Sequence, residues 1–408
     1  MMLGGSFGSS PSSSSRSHDK QPQHFLDIHN NSNQQHRRNH DQGIGLRHLL
    51  ITCAELISRS DFSAAHRLLS FLSTRASPLG DSTERLAHQF ARAISLRLHR
   101  HVAAPPSPSL LQSSYLALNQ VTPFLRFTHL TANQAILDAV EGGGQRQAVH
   151  IVDFDIMHGV QWPPLMQALA ERYPPPTLRI TGSGRDLDTL RRTGDRLAKF
   201  AHSLGLRFQF HPLLALGGED ETPPLSSVVL LPDETLAVNC VMYLHRLLKN
   251  RDRLGLLLRR IKDEMRPKVV AVAEREASHN HPLFLKRFVE AVDHYAAVFD
   301  SLEATLPPSS RERWEVEQVW FGGEIADIVA AEGGKRRERH EKFACWEGML
   351  RGSGFRSLGL SPFAVSQANL LLRLHYPSEG YHLRLMPDSN SLFLGWQTQP
   401  LFSVSSWH

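Results

Sequence analysis

Cysteine is scarce and scattered. Cys53, Cys240 and Cys345 are the only three in 408 residues, and no C-x-x-C pair occurs. That excludes a cysteine zinc knuckle and a thiol redox motif, so no metal site is expected, and such sparse use suits a reducing compartment. Long apolar runs are missing too. No stretch reaches the ~18–20 residues of a membrane span. The Ser/Gly-rich start lacks the apolar core of a secretory signal, so no membrane contact is expected. Neither sign of charge dominates: 45 Lys and Arg against 40 Asp and Glu leave +5. This mild basicity fits nucleic acid or acidic partners, and equally an ordinary globular protein.

Glycine is missing where a cofactor fold needs it. In Ala148–Trp162, AVHIVDFDIMHGVQW, the run Val149, Ile151, Val152 reads as a buried parallel strand ending at Asp153. An acid–x–Gly–x–Gly–x–Gly turn would place glycines at 155, 157 and 159. Only Gly159 is there; Asp155 and Met157 put side chains where backbone should approach a ligand. The strand and turn are kept and the cofactor cradle is filled. No cofactor is therefore expected.

The remaining text divides in three. Residues 1–43 are a low-complexity Ser/Gly and Gln/His/Asn tail, with too little apolar surface to offset ordering entropy. Residues 44–141 read as helices, a cap without strands. Leu46, Leu49, Leu50, Cys53, Leu56 and Ile57 recur at three- and four-residue steps. Asp61 and Asp81 stand as N-caps, and Thr131-x-x-Gln134 reads as a capping box. From 142 to 408 strands and helices alternate. Strands are expected at Val149–Asp153, Leu178–Thr181, Arg207–His211, Leu236–Val241 and Val269–Glu274. Helices are expected at Gln161–Arg172, Asp186–Leu204, Leu244–Met265 and Pro282–Glu303. Tyr381–Met386 and Leu392–Trp396 flank PDSNS (387–391) as an antiparallel hairpin. The expected fold is α/β: a methyltransferase-like, Rossmann-type doubly wound sheet closing on an antiparallel hairpin, plus the helical cap.

Several stretches are familiar together. VHIVDFDIMHGVQWPPLMQAL (149–169) resembles the VHIID motif of the GRAS family of plant transcriptional regulators. Residues 46–141 resemble that family's first leucine-rich region, and 185–213 the stretch leading into its second. Residues 236–248 and 269–304 resemble the PFYRE region, and 346–355 with 392–408 the SAW region. The blocks keep the family order. The wording of the motif is most similar to the lateral-suppressor (scarecrow-like) branch. No acidic DELLA-type block precedes residue 46. The resemblance implies a non-enzymatic regulator in the nucleus. It would act with DNA-binding transcription factors and other nuclear regulators, with homo- or heterodimers of family members possible, in axillary meristem initiation and shoot branching.

Two other functions stay open: a small-molecule-binding or residual methyltransferase-type protein, and a direct sequence-specific DNA binder. For the first, Asp153, Asp155, His158, Gly159 and Gln161 lie at a strand's carboxyl end, where open α/β sheets bind ligands. Asn239 follows on another strand, and Glu274, Glu276, His279 and Asn280 lie at and just after the end of a third. An acid pair beside a histidine could do acid–base work, although a hydrogen-bonded rim is the commoner use. The carboxylates of Asp153 and Asp155 could equally anchor the loop or the next helix. No Asn/Asp-Pro-Pro-aromatic motif accompanies Asn239. For nucleic acid or an import receptor, Lys335, Arg336, Arg337 and Arg339 (KRRER, 335–339) form the best basic run. For partners, Leu46, Leu49, Leu50 and Leu56 are the candidate surface on the cap, although a leucine stripe is core by default.

Overall fold

The computed structural model describes residues 45–101, 106–141, 148–215, 224–386, 388 and 390–408. The expected tail, the Gly142–Gly144 junction and parts of the 103–109 and 387–391 turns lie outside them. Leu46–His408 form one compact unit.

Five helices open this unit: α1 (45–58), α2 (Phe62–Arg75), α3 (Ser82–Leu98), α4 (Pro108–Val121) and α5 (Pro123–Glu141). Their starts are set by side chains that satisfy free backbone donors. Asp61 accepts from Ala64 N–H at 3.0 Å. Asp81 accepts from Glu84 N–H at 2.9 Å while Glu84 returns a bond to Asp81 N–H, closing a capping box. The box expected at Thr131–Gln134 is not one. Both residues lie buried in mid-helix, because α5 starts at Pro123, where a missing N–H costs nothing, directly after Thr122 ends α4.

The α/β part follows as β1 (Ala148–Asp153), α6 (Trp162–Ala170), β2 (Thr177–Gly184), α7 (Leu187–Ser203), β3 (Phe208–Leu214), β4 (Glu234–Val241), a short α8 (Leu244–Leu247), α9 (Arg251–Arg260) and β5 (Val269–Arg275). The single helix expected over Leu244–Met265 is broken. Asn250 leaves the helical conformation and its side chain caps α9 by accepting from Arg253 N–H at 3.0 Å, and a π turn ends the stretch at Met265. After β5 come α10 (Phe284–Thr305), α11 (Arg311–Glu315), α12 (Gly322–Ala330), α13 (Phe343–Gly352), β6 (Ser357–Leu358), α14 (Pro362–His375), β7 (Tyr381–Met386), β8 (Ser391–Trp396) and β9 (Gln399–Trp407). The run from α11 to α14 carries no element in the sequence reading.

Among the described residues the strands form one sheet of order β3-β2-β1-β4-β5-β9-β8-β7, with β6 beside β9. The first five are parallel, and β9 enters antiparallel against β5. Strands β7 and β8 form the expected antiparallel hairpin, and β9 lies between that hairpin and β5. One apolar cluster runs from the cap helices through the sheet to α10 and α12. Leu46 and Leu50 belong to it, 3% and 1% exposed. Leu49 and Leu56 pack against it half-buried. The leucine stripe therefore faces inward, and as a partner surface Leu46 and Leu50 are corrected to core.

Candidate functional site

Strand order reverses between β1 and β4, and there the carboxyl ends of β1, β2, β4 and β5 open on a cavity of about 480 Å³. Tyr115 and His129 from the cap helices line its other side, with Trp320. Its floor is a buried polar network. The Asp153 carboxylate accepts from Asn239 Nδ2 (3.1 Å), from Trp162 Nε1 (3.0 Å) and from the Asp155 backbone N–H (3.3 Å). Gln161 Nε2 donates to Asn239 Oδ1 (3.0 Å) and to Asn133 Oδ1 (3.1 Å), and Asn133 Nδ2 donates to the Gln161 carbonyl (2.8 Å). Two strands, the turn after β1 and the cap helix α5 are thus joined by side-chain amides. Burial pushes the Asp153 carboxyl up to about 7, with the nearby Asp155 adding to it and the bonds from Asn239 and Trp162 opposing.

The turn after β1 is bent as a glycine turn would be, yet it is filled. Met157 sits in the left-handed region at φ +47° and Gly159 at φ +67°. Glycine is needed at 159 because a Cβ there would come within 2.9 Å of Thr193 Cγ2 on α7. Asp155, at the first glycine position, is ion-paired with Arg246 from α8. The His158 carbonyl accepts from Arg196 at 3.1 Å, and its ring lies 5.8 Å from that of Tyr115.

The structure brings Asp153, Asp155, His158 and Gln161 to the cavity wall, with Asn239 directly behind. It does not bring the other four there: Gly159 bends the turn without lining the cavity, and Glu274, Glu276 and Asn280 turn elsewhere. Glu274 turns to α8, accepting His245 Nδ1 at 2.7 Å and the His245 backbone N–H at 3.2 Å. Glu276 accepts the Phe343 N–H that opens α13 at 2.9 Å, and burial raises its carboxyl to about 7. Asn280 donates to Glu341 and accepts from Arg339. Glu274 and Glu276 therefore hold different segments, and neither is hydrogen-bonded to the His279 ring, so the expected acid–base grouping is not assembled.

The basic run is not a basic patch. Lys335 is exposed, but Arg336 and Arg339 are buried, and Arg339 donates to the Arg336 carbonyl at 3.1 Å. Arg337 and Glu338 donate their backbone N–H groups to Asp327 Oδ1, both at 2.8 Å, which folds the segment onto α12. Two of four guanidinium and ammonium groups are thus enclosed, correcting the expected nucleic-acid or import face.

Sequence reading missed Arg275, the last residue of β5. Its Nη2 donates to Glu324 at 2.7 Å, and Tyr295 donates to the other Glu324 oxygen at 2.8 Å. The guanidinium lies over the Phe402 ring at 5.1 Å. A strand-end position is the signal that could have found it. Tyr115 and His129 reach the cavity from helices distant in sequence. Burial holds the His129 ring down to about 3, so it is neutral at ordinary pH.

Comparison with known proteins gives a consistent result. Residues 46–408 match the GRAS domain family. Scarecrow-like protein 18 of Arabidopsis thaliana is 51% identical, over 89% of this chain and 91% of its own. Protein MONOCULM 1 of Oryza sativa is 48% identical, over 88% of both. The crystal structure of SCL7 from Oryza sativa superposes with a TM-score of 0.76 at 34% identity, covering 89% of this chain and 99% of that one.

Proposed function

The chain belongs to the GRAS domain family, and from that premise we propose that it is a nuclear transcriptional regulator working through protein contacts, without catalysis of its own. Its partners would be DNA-binding transcription factors, with other family members as dimer partners. Its setting would be axillary meristem initiation and shoot branching, as the likeness to the lateral-suppressor branch implies. The observation that carries this reading is identity of about half to two plant regulators, sustained over nearly nine-tenths of both chains. The filled turn supports it: the Asp155–Arg246 ion pair and the Met157 side chain occupy the place of a cofactor cradle. Since Leu46 and Leu50 are core, cap contacts would use exposed side chains such as Phe62, Phe71 and Leu116.

The test is calorimetric titration of the full chain with S-adenosylmethionine and S-adenosylhomocysteine, alongside gel-shift titration with promoter DNA in the presence and absence of a transcription factor. No cofactor binding, and a shift only with the factor present, are the expected results. Micromolar cofactor binding abolished by Asp153→Ala would overturn the reading in favour of a ligand-binding or catalytic groove. A sequence-selective shift by the chain alone would make it a DNA binder.

A further inference from the structure

In the cavity wall lies a largely buried cluster that the regulator reading leaves unused. His245 comes from α8, at the end of β4. Glu338 and His340 come from the loop between α12 and α13. That loop is pinned by the Arg337 and Glu338 N–H bonds to Asp327 and by the His279 N–H bond to the His340 carbonyl at 2.9 Å. Both histidines are buried, at 2% and 1% exposure.

We propose that His245, Glu338 and His340 form a binding site for a divalent first-row transition ion, zinc first among them, which nothing in the regulator reading calls for. The expectation of no metal came from scarce cysteine, and this ligand set contains none. Its geometry fits. One Glu338 oxygen lies 3.3 Å from His245 Nε2 and 3.0 Å from His340 Nε2, and all three donor atoms lie within 4.8 Å of one another. A tetrahedral zinc with ligands at about 2.0–2.1 Å sets donors roughly 3.3 Å apart. Two imidazoles and a carboxylate, with a position left open, are a zinc or iron(II) donor set.

Three further observations point to an ion. His245 Nδ1 is held by the buried Glu274 carboxylate at 2.7 Å, the partner that fixes a metal-binding histidine with its Nε2 lone pair forward. The His340 Nδ1 has no hydrogen-bond partner among the described residues, and its Nε2 faces the Glu338 carboxylate at 3.0 Å. The His279 ring, fully buried with both nitrogens likewise unpartnered, stands edge-on to His340 at 5.3 Å. The bound ion would fasten the 331–342 loop to the sheet, beside the wall of the cavity that His245 and Glu338 also line.

The test uses the full chain purified without chelator or immobilised metal. Metal analysis should find about one equivalent of zinc, or of iron, per chain. Titration of the stripped chain with zinc chloride should show a site that His340→Gln weakens at least tenfold. The histidines of the first 43 residues are present in both forms, so equal binding by both would place the ion on that tail and overturn the proposal. Cobalt(II) provides a readout on the wild type alone, should the variant fail to fold. An intense visible spectrum of a four-coordinate ion is expected, and the weak spectrum of a six-coordinate ion, or no binding, would refute the site. Dipicolinate should lower the melting temperature of the wild type and leave His340→Gln unmoved.

Discussion

Asp153 is held from three sides by donors yet lies deep enough that burial dominates, raising its carboxyl from the ordinary 3.8 to about 7. The sign of the consequence follows from which state holds the proton. Between about pH 4 and 7 the native carboxyl keeps a proton that the unfolded chain has lost, so this residue's contribution to stability falls as pH rises, and is fully lost above 7. Asp153→Asn removes the titration while keeping one acceptor for Asn239. Thermal melting from pH 5 to pH 8 should show a shallower decline for the variant than for the wild type. Equal slopes would mean that the three donated bonds, not burial, set the ionisation. Much of this neighbourhood was legible in the sequence. Asp153 and Gln161 were visible from a strand end and the turn after it, and Asn239 pairs in register with Asp153. Glu276 was misplaced for a reason of length. Asn239 pairs with Ala271, and five further residues at about 3.3 Å each carry Glu276 roughly 16 Å past that level.

Helix α1 is short and its stability is a matter of one face. Leu46, Leu50, Cys53 and Ile57 are buried, with Leu49 and Leu56 partly so. Replacing Leu50 by Ala should cost ~2–5 kcal/mol, read as a lowered denaturation midpoint in urea, because its cavity is walled by packed helices. Leu49→Ala should cost clearly less. Comparable losses would show that the helix is rotated from this arrangement. Element by element, legibility tracked how local the determining signal is. Asp61 and Asp81 announce their helices by bonds within three residues, and both were read correctly. Thr131 and Gln134 have the same spelling, but Pro123 had already started that helix. The helices α11 to α14 went unread because their buried faces are set by distant partners. Arg85 on α3, for example, donates to Glu317 just beyond α11 at 2.8 Å, both groups being buried.

At the scale of the whole molecule, the last strand in sequence is an interior strand in space. Strand β9 is hydrogen-bonded to β5 on one side and to β8 on the other, and Trp407 pairs with both Val270 and Ser357. Its side chain is fully buried in the second apolar cluster, under α9 and α13. A sheet assembled in this order cannot finish until its final residues are placed, since β7 and β8 reach the parallel strands only through β9. Deleting residues 399–408 would expose two unpaired edges at once and leave the hairpin without a neighbour. The truncated chain should lose its cooperative thermal transition and aggregate. Trp407→Ala, which keeps the strand and empties its anchor, should remain folded at a cost of ~3–5 kcal/mol. Trp407→Phe should recover part of that loss. If the truncated chain still melted cooperatively, the five parallel strands and the cap would be a complete folding unit. Strand β9 would then be an addition to that unit, and the cavity at the β1–β4 switch point would not depend on it.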